Sequence, residues 1–577
     1  MNRKIFLCAA ATILLSAAGC SESKTGNSVT DTDAPSIELS VAYVDETSVT
    51  VNIATRNADE AYTLLGEADA AAPSVTQLRK GDRTDAAGTV TYSNLEAGHS
   101  YNVFGIAGRN DIYSGITTLK VKTAGELDEH YPVNVRAWQT TADKSRLFAE
   151  TSPGTASTAS PSARKIVIDT GTRYQTMEGF GPAITGSTAY NLLKMTADDR
   201  HRILRDAFDP TEGMGYNYVR IAIGCSDFSL DEYTCCDKEG LENFAIHEYD
   251  RRDIFPVLHE ILDINPEVKI IAAPWTAPLW MKTNGPRNEG VSWNRGRLNP
   301  DFYDDYALYF VLWIKAMEAE GFRIWAVTPQ NEPLNEGNSA STYMSWESQR
   351  QFVKAHLGPA FAEWNIDTLI WAYDHNFDAW DYVTNIYADS EAAKWFEGSA
   401  WHAYGGSYKE LQKVYNAAPD KSIYFTEQSI GEWASDFGYN LMWHISDVFL
   451  GTINLHCRAV VLWNFMLDHK LGPNRPNGGC NTCYGFVDCG PTYSYSGLTY
   501  RSHWYATGHL SKVVRRGASR VASTCPDPCS VFLNPDGSMS LVVLNWHDSA
   551  TQYSVSSPAG DFVIDAPANS VTSVLWN

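Results

Sequence analysis

Through the central part of the chain two rhythms alternate. Short apolar runs recur at residues 178–181, 218–223, 269–274, 324–330, 368–373, 399–404, 423–427 and 459–464, each leading into a polar or aromatic cluster and then a stretch with helical spacing. Eight βα units predict an α/β fold, a (β/α)8 TIM barrel over residues 176–498, with its active site at the carboxyl ends of the strands. After about residue 500 the helical pattern stops, and β runs return at 540–545, 552–556 and 571–576. Residues 499–577, joined by strands from 130–175, are therefore expected to form a side β-sandwich. A low-complexity stretch at 151–163 reads as a loop between β segments.

Upstream, five short β-rich runs separated by Gly, Asn and Asp turns predict a separate all-β sandwich over 36–125. Within it, Leu95-Glu96-Ala97-Gly98-His99-Ser100-Tyr101 resembles the tyrosine corner of fibronectin type III domains. This unit carries neither a carboxylate pair nor an evident ligand cleft, which suits a spacer or a weak sugar-binding module.

The first twenty residues read as an export signal: Arg3 and Lys4, an apolar run over 5–18, then Ala17-Ala18-Gly19-Cys20. The run is shorter than the roughly 20 residues that span a bilayer. Its end resembles a bacterial lipobox, so Cys20 is the expected lipidation site, with residues 21–35 as a flexible linker. The resulting expectation is an exported lipoprotein of the outer membrane, cell surface or periplasm, touching membrane only through its lipid anchor.

Charge narrows the partners. Against 45 Lys and Arg stand 68 Asp and Glu, a net charge of −23, which disfavours nucleic acid. Eighteen Trp, 30 Tyr and 22 Phe supply core and also sugar-stacking faces. Of eleven Cys, nine lie beyond residue 20. Cys480, Cys483 and Cys489 share a Gly-rich loop, Cys525 and Cys529 bracket a Pro-Asp-Pro turn, and Cys235-Cys236 are adjacent. Disulfides or buried thiols fit these spacings better than a zinc cluster, so no metal is expected.

Two glutamates end predicted strands. The fourth strand runs through Trp325-Ala326-Val327-Thr328-Pro329-Gln330 into Asn331-Glu332-Pro333, and the seventh ends at Thr426-Glu427. A carboxylate facing a barrel mouth is costly unless used or paired. Two of them beside Asn331, His402, Tyr404 and several Trp fit glycoside hydrolysis, in which one carboxyl protonates the leaving oxygen and the other attacks the anomeric carbon or activates water.

Five ordered motifs then make the pattern specific: Tyr216-Asn217-Tyr218-Val219-Arg220, Ser226-Asp227-Phe228-Ser229, Pro274-Trp275-Thr276-Ala277-Pro278, the Trp325 to Pro333 run, and Thr426-Glu427. Together they resemble glycoside hydrolase family 30, retaining enzymes that include the lysosomal glucosylceramidase and microbial endo-β-1,6-glucanases. The resemblance extends from about residue 174 to the C-terminus, through Gly508-His509-Leu510-Ser511-Lys512 and Asn534-Pro535-Asp536-Gly537-Ser538. It implies Glu332 as general acid/base and Glu427 as nucleophile, with Asn331 on the sugar 2-hydroxyl and Arg220 keeping Glu427 ionised. His402 and Tyr404 would be the pair at strand six, Tyr404 donating to Glu427. Asp227 and Trp275 would hold and stack the glucose ring, and Trp463 would wall it at strand eight. Neither metal nor organic cofactor is required.

One departure affects specificity. Strand eight reads Val461-Leu462-Trp463-Asn464, where the lysosomal enzymes have a Trp-Thr-Asp-Trp-Asn run, and a Gly- and Cys-containing loop over 471–489 follows and would border the entrance. An exported protein with an attached sandwich is most simply a polysaccharide-degrading enzyme, giving an endo-β-1,6-glucanase as the leading expectation. Glucosylceramidase or β-glucosidase action is the alternative. A non-catalytic surface glycan-binding lipoprotein is a third reading, but it predicts loss of a carboxylate, and both are present. Oligomeric state is not fixed by the sequence.

Overall fold

The computed structural model describes residues 34–577 except 45–46, 97, 124–131, 133, 284–291 and 476. The export signal and Cys20 lie outside the described residues. Two compact units emerge, residues 1–129 and 130–577.

The first unit is a β-sandwich. One sheet pairs strands Ser36–Val44, Ser48–Arg56 and Ala87–Ser93; the other pairs Asp82–Asp85, Glu60–Glu67, Ser100–Arg109, Ile112–Tyr113 and Thr117–Lys122. Between them lie Leu39, Val49, Val51, Ile53, Tyr101, Val103 and Val121. The Tyr101 hydroxyl accepts from the Glu96 backbone N–H at 2.9 Å, the bond of a tyrosine corner. Five strands are expected and eight form among the described residues; Glu60–Glu67 lies outside the expected five because its burial follows no two-residue alternation.

The second unit holds the barrel. Its strands, numbered β1 to β8, are Gly179–Pro182, Tyr218–Ala222, Lys269–Ala273, Ile324–Val327, Leu369–Asn376, Gly398–His402, Ser422–Glu427 and Cys457–Leu462. All run parallel in the order β1-β8-β7-β6-β5-β4-β3-β2. The ring closes through an Ala183–Arg220 bridge, with the Ile184 N–H donating to the Arg220 carbonyl at 2.8 Å. That approach requires Gly181, where a Cβ would fall 1.9 Å from the Tyr218 carbonyl oxygen. Inside, Tyr218, Ile271, Ala326, Trp371, Ala400, Tyr424 and Val461 pack together, Trp371 stacking on Tyr424 at 3.7 Å. At the amino ends of the strands buried Glu178 takes Lys269 at 2.7 Å, Tyr424 at 2.8 Å and Tyr218 at 3.1 Å. The tube is thus packed and plugged, leaving its carboxyl end for chemistry.

Beside the barrel lies a ten-stranded sheet built from residues 136–176 and 519–576, with its own core of Ile166, Val531, Leu541, Tyr553, Phe562 and Trp576. The expected boundary at residue 499 needs correction. Helical structure continues through Ser502–Ser511, and the first sheet strand after it begins at Ser519. All ten residues of that helix are buried, so it has no polar face and no amphipathic period to read.

Candidate functional site

Barrel geometry brings the expected residues to one mouth. Glu332 follows β4, Glu427 ends β7, Arg220 lies on β2, His402 ends β6, and Trp463 follows β8. A cavity of about 420 Å³ opens there, lined in part by Asp227, Trp275, Glu332, Tyr404, Glu427 and Trp463.

One carboxylate oxygen each from Glu332 and Glu427, and one ring nitrogen of His402, lie within 4.8 Å of one another. That spacing fits the roughly 5 Å separation of retaining glycosidases and is shorter than the roughly 6.5–9.5 Å of inverting ones. Three such donors could also suggest a metal triad. Here each is committed: His402 Nε2 to Asp374, its Nδ1 to Glu332, and the Glu427 oxygens to Arg220 and Tyr404. The Arg220 guanidinium against Glu427 makes the spot still less suited to a cation.

Arg220 organises the floor. It is buried, and its Nη1 donates to Glu427 Oε2 at 2.6 Å while Nη2 donates to Asn331 Oδ1 at 2.7 Å and Asp374 Oδ2 at 2.9 Å. Trp275 and Trp463 lie over the guanidinium at 4.9 and 5.6 Å and stack on each other at 5.1 Å, forming an aromatic wall. With Asn331 Oδ1 occupied, its buried Nδ2 has no protein partner and is free to donate to a sugar hydroxyl. Tyr404 donates to Glu427 Oε1 at 3.1 Å and accepts from the Ser429 N–H at 3.0 Å, its residue left 44% exposed at the rim.

Four participants escaped the sequence reading. Asp374 on β5 has no exposure and accepts from Thr328 and Thr426 hydroxyls, both at 2.6 Å, besides Arg220, with His402 Nε2 at 3.0 Å. Burial opposes its charge, but Arg220 and then His402 outweigh that and hold the carboxyl far below its usual range. His375 Nε2 lies 3.9 Å from Glu332 Oε1. Asn335 and Asn338 amides donate to Glu332 Oε2 at 2.8 and 2.9 Å. The first two were hidden by a β-bulge: pairing of β5 with β6 shifts between Tyr373 and His375, and Tyr373 and Asp374 have φ of 76° and 80°. Bulges of this kind re-aim side chains beside active sites. The only signal available was the polar run Asp374-His375-Asn376 closing an apolar strand.

Glu332 itself has a left-handed φ of 45°, strain of the kind stored at functional positions. Burial pushes its carboxyl up, yet His402, His375 and Asn335 bring it down to about 2. Burial would likewise lower His402, but the negative charge of Glu427 and the contacts with Asp374 and Glu332 raise it to about 9. Glu427 moves upward through burial, restrained by His402 and Arg220, with the Glu332 charge adding to the rise. Asp227 is pushed well up by burial and by the charges of Glu427 and Glu332.

The loop over 471–489 borders this mouth, as expected. It carries the Cys480–Cys483 disulfide, and Cys483 lines the cavity. Cys225, Cys235, Cys236, Cys457, Cys489, Cys525 and Cys529 are free thiols.

A parallel eight-stranded barrel with two buried carboxyls at retaining distance and an aromatic wall defines a glycoside hydrolase. The family model "Glycosyl hydrolase family 30 TIM-barrel domain" matches residues 177–514, and "Glycosyl hydrolase family 30 beta sandwich domain" matches 517–574. The chain belongs to glycoside hydrolase family 30. It is 29% identical over 437 residues to the lysosomal acid glucosylceramidase of Mus musculus, covering 70% of this chain and 82% of that protein. To the endo-1,6-beta-D-glucanase neg1 of Aspergillus fumigatus it is 29% identical over 426 residues, 69% of this chain and 84% of that one. Among solved structures, the endo-beta1,6-glucanase BT3312 matches with a TM-score of 0.73 and 47% identity, covering 77% of this chain and 99% of that one.

Proposed function

We propose that the protein is an endo-acting β-1,6-glucanase that cleaves with retention of anomeric configuration, Glu427 being the nucleophile and Glu332 the acid/base. The observation that carries the mechanism is the approach of Glu332 and Glu427 within 4.8 Å over a floor fixed by Arg220. The choice of glucan is supported by the 47% identity to a solved endo-β1,6-glucanase and by the cavity rim, where Asn335, Asn338, His375 and Asn376 offer hydrogen bonds beside the faces of Tyr404 and Trp433. A ceramide tail would need an apolar entrance.

In the free protein the proton is held on His402, whose Nδ1 lies 3.3 Å from Glu332 Oε1. A sugar filling the cavity covers what solvent still reaches Glu332, and transfer of the proton to Glu332 leaves two neutral groups in place of two buried charges. Glu332 then protonates the glycosidic oxygen while Glu427, held between Arg220 and Tyr404, attacks the anomeric carbon. Departure of the shortened chain leaves a glycosyl ester on Glu427. Glu332, now ionised, takes a proton from water, whose oxygen displaces Glu427 and releases the sugar. Asn331 Nδ2 is placed to donate to the 2-hydroxyl as charge develops on the ring.

Export and lipidation at Cys20 belong to the same proposal, supported by the basic, apolar and Ala-Ala-Gly-Cys segments of the first twenty residues. It also takes the N-terminal sandwich as a spacer between anchor and barrel. The test of function is a product profile from β-1,6-glucan beside a short-chain glucosylceramide, with Glu427→Ala as control. Gluco-oligosaccharides from the glucan alone are expected; ceramide release with intact glucan would overturn the choice of substrate.

A further inference from the structure

Trp433 stands out by its place at the cavity rim. It is 57% exposed, yet it lines the cavity that holds Glu332 and Glu427. A single exposed aromatic is ordinary on a protein surface, and Tyr439 and Trp546 are exposed to a similar degree; Trp433 differs from them in lining the cavity that holds the two carboxyls. Trp275 and Trp463, by contrast, are buried and close the inner wall.

The exposed ring is also held in place. Trp433 lies in a short turn, Glu432–Ala434, where the Ala434 N–H donates to the Gly431 carbonyl at 3.0 Å and the Asn440 amide to the Ala434 carbonyl at 2.6 Å. Gly431 sits against the indole: a Cβ there would fall 2.3 Å from Trp433 Cζ3 and 2.3 Å from the Thr482 carbonyl oxygen. On its other side the segment pairs with the entrance loop, Gly431 bridging Cys483, the Glu432 N–H donating to Thr482 at 2.8 Å and the Tyr484 N–H to Ile430 at 2.8 Å. The Cys480–Cys483 disulfide closes that segment of the loop. The same loop reaches the inner pocket, where the Arg475 N–H donates to the Asp227 carbonyl at 3.0 Å. The entrance loop thus meets the Asp227 backbone at Arg475 and the segment that carries the indole at Thr482–Tyr484.

We propose that Trp433 is a specificity-determining platform on which glucose units of the chain just outside the reacting ring stack, with the pairing of its turn to the disulfide-closed Cys480–Cys483 segment holding the indole in place. This rests on the glucan reading above. A rigid, amphipathic ring fixed beforehand binds at low entropic cost, and a chain lying on it takes up the exposed face that the fold leaves open. A substrate with nothing beyond the reacting ring cannot use the platform.

The test compares kcat/KM for β-1,6-glucan with that for β-glucosyl fluoride, whose leaving group is a single atom, in wild-type protein, Trp433→Ala and Trp433→Phe. For Trp433→Ala the ratio of glucan to fluoride efficiency is expected to fall about tenfold, carried by KM, on the scale of an exposed aromatic anchor. Trp433→Phe should recover most of it. An unchanged ratio would overturn the proposal, whether both efficiencies stay level or both fall together as for a merely structural residue. Wild-type protein that cleaves the fluoride but leaves the glucan whole would instead refute the substrate reading, and the platform with it.

Discussion

Asp374 Oδ1 lies 3.0 Å from His402 Nε2, with neither side chain exposed to solvent. The contact joins a residue the sequence did not reveal to one it did, and fixes which ring nitrogen faces Glu332. Because Asp374 also takes Arg220, Thr328 and Thr426, it is the anion against which the site's cations are set. In Asp374→Asn a buried guanidinium loses one of its carboxylate partners, and stability should drop by about 3–5 kcal/mol in urea denaturation. The pH–rate profile should change as well, its basic limb moving to lower pH as His402 loses a counter-charge. A destabilised variant with an unaltered profile would contradict the role of Asp374 in holding the His402 proton.

Replacing Glu332 by Gln removes the acid but keeps the shape. With a sugar leaving group, glycosylation should slow by roughly 10²–10⁴-fold, the usual scale of acid assistance. β-Glucosyl fluoride departs without protonation, so its first-step rate should be affected far less. Pre-steady-state release of fluoride against release of sugar checks this; equal losses on both would remove Glu332 from the acid role.

Stability should peak near pH 6.5 as far as two buried histidines determine it. His402, raised to about 9 by Glu427, Asp374 and Glu332 against the effect of burial, contributes stability that is full below about 6.5 and is lost as pH rises through 9. His444 has the opposite sign. Burial alone lowers it to about 3, and neither ring nitrogen has a partner, so stability is lost as pH falls from about 6.5 toward 3. Urea midpoints across this range should fall on both sides, and His444→Phe should make the acid-side fall shallower without removing it, because burial also depresses His503 and His509, while leaving the basic side unchanged. A midpoint rising steadily through about pH 9 would contradict the His402 assignment.

The barrel was legible because each strand carries a short apolar run ended by polar or aromatic residues, and the sites at those ends came with it. What escaped did so for physical reasons. Ser502–Ser511 is buried on every side, so nothing marks it as helix. Asp374 and His375 depend on a bulge that breaks strand alternation. Asn335 and Asn338 lie in an Asn-Glu-Gly-Asn stretch that reads as an ordinary turn, and only folding brings their amides to Glu332. Trp433 is one of eighteen tryptophans, and its exposure is a property of the assembled loop.

In the retaining mechanism Glu427 carries the sugar between two displacements. Its most direct test is mass spectrometry of protein reacted with a 2-deoxy-2-fluoro-β-glucosyl donor bearing a good leaving group, which slows turnover of the covalent intermediate. One sugar per chain is expected, located on the peptide containing Glu427 and absent in Glu427→Ala. A sugar on any other residue, or a first-formed product of inverted configuration, would contradict it.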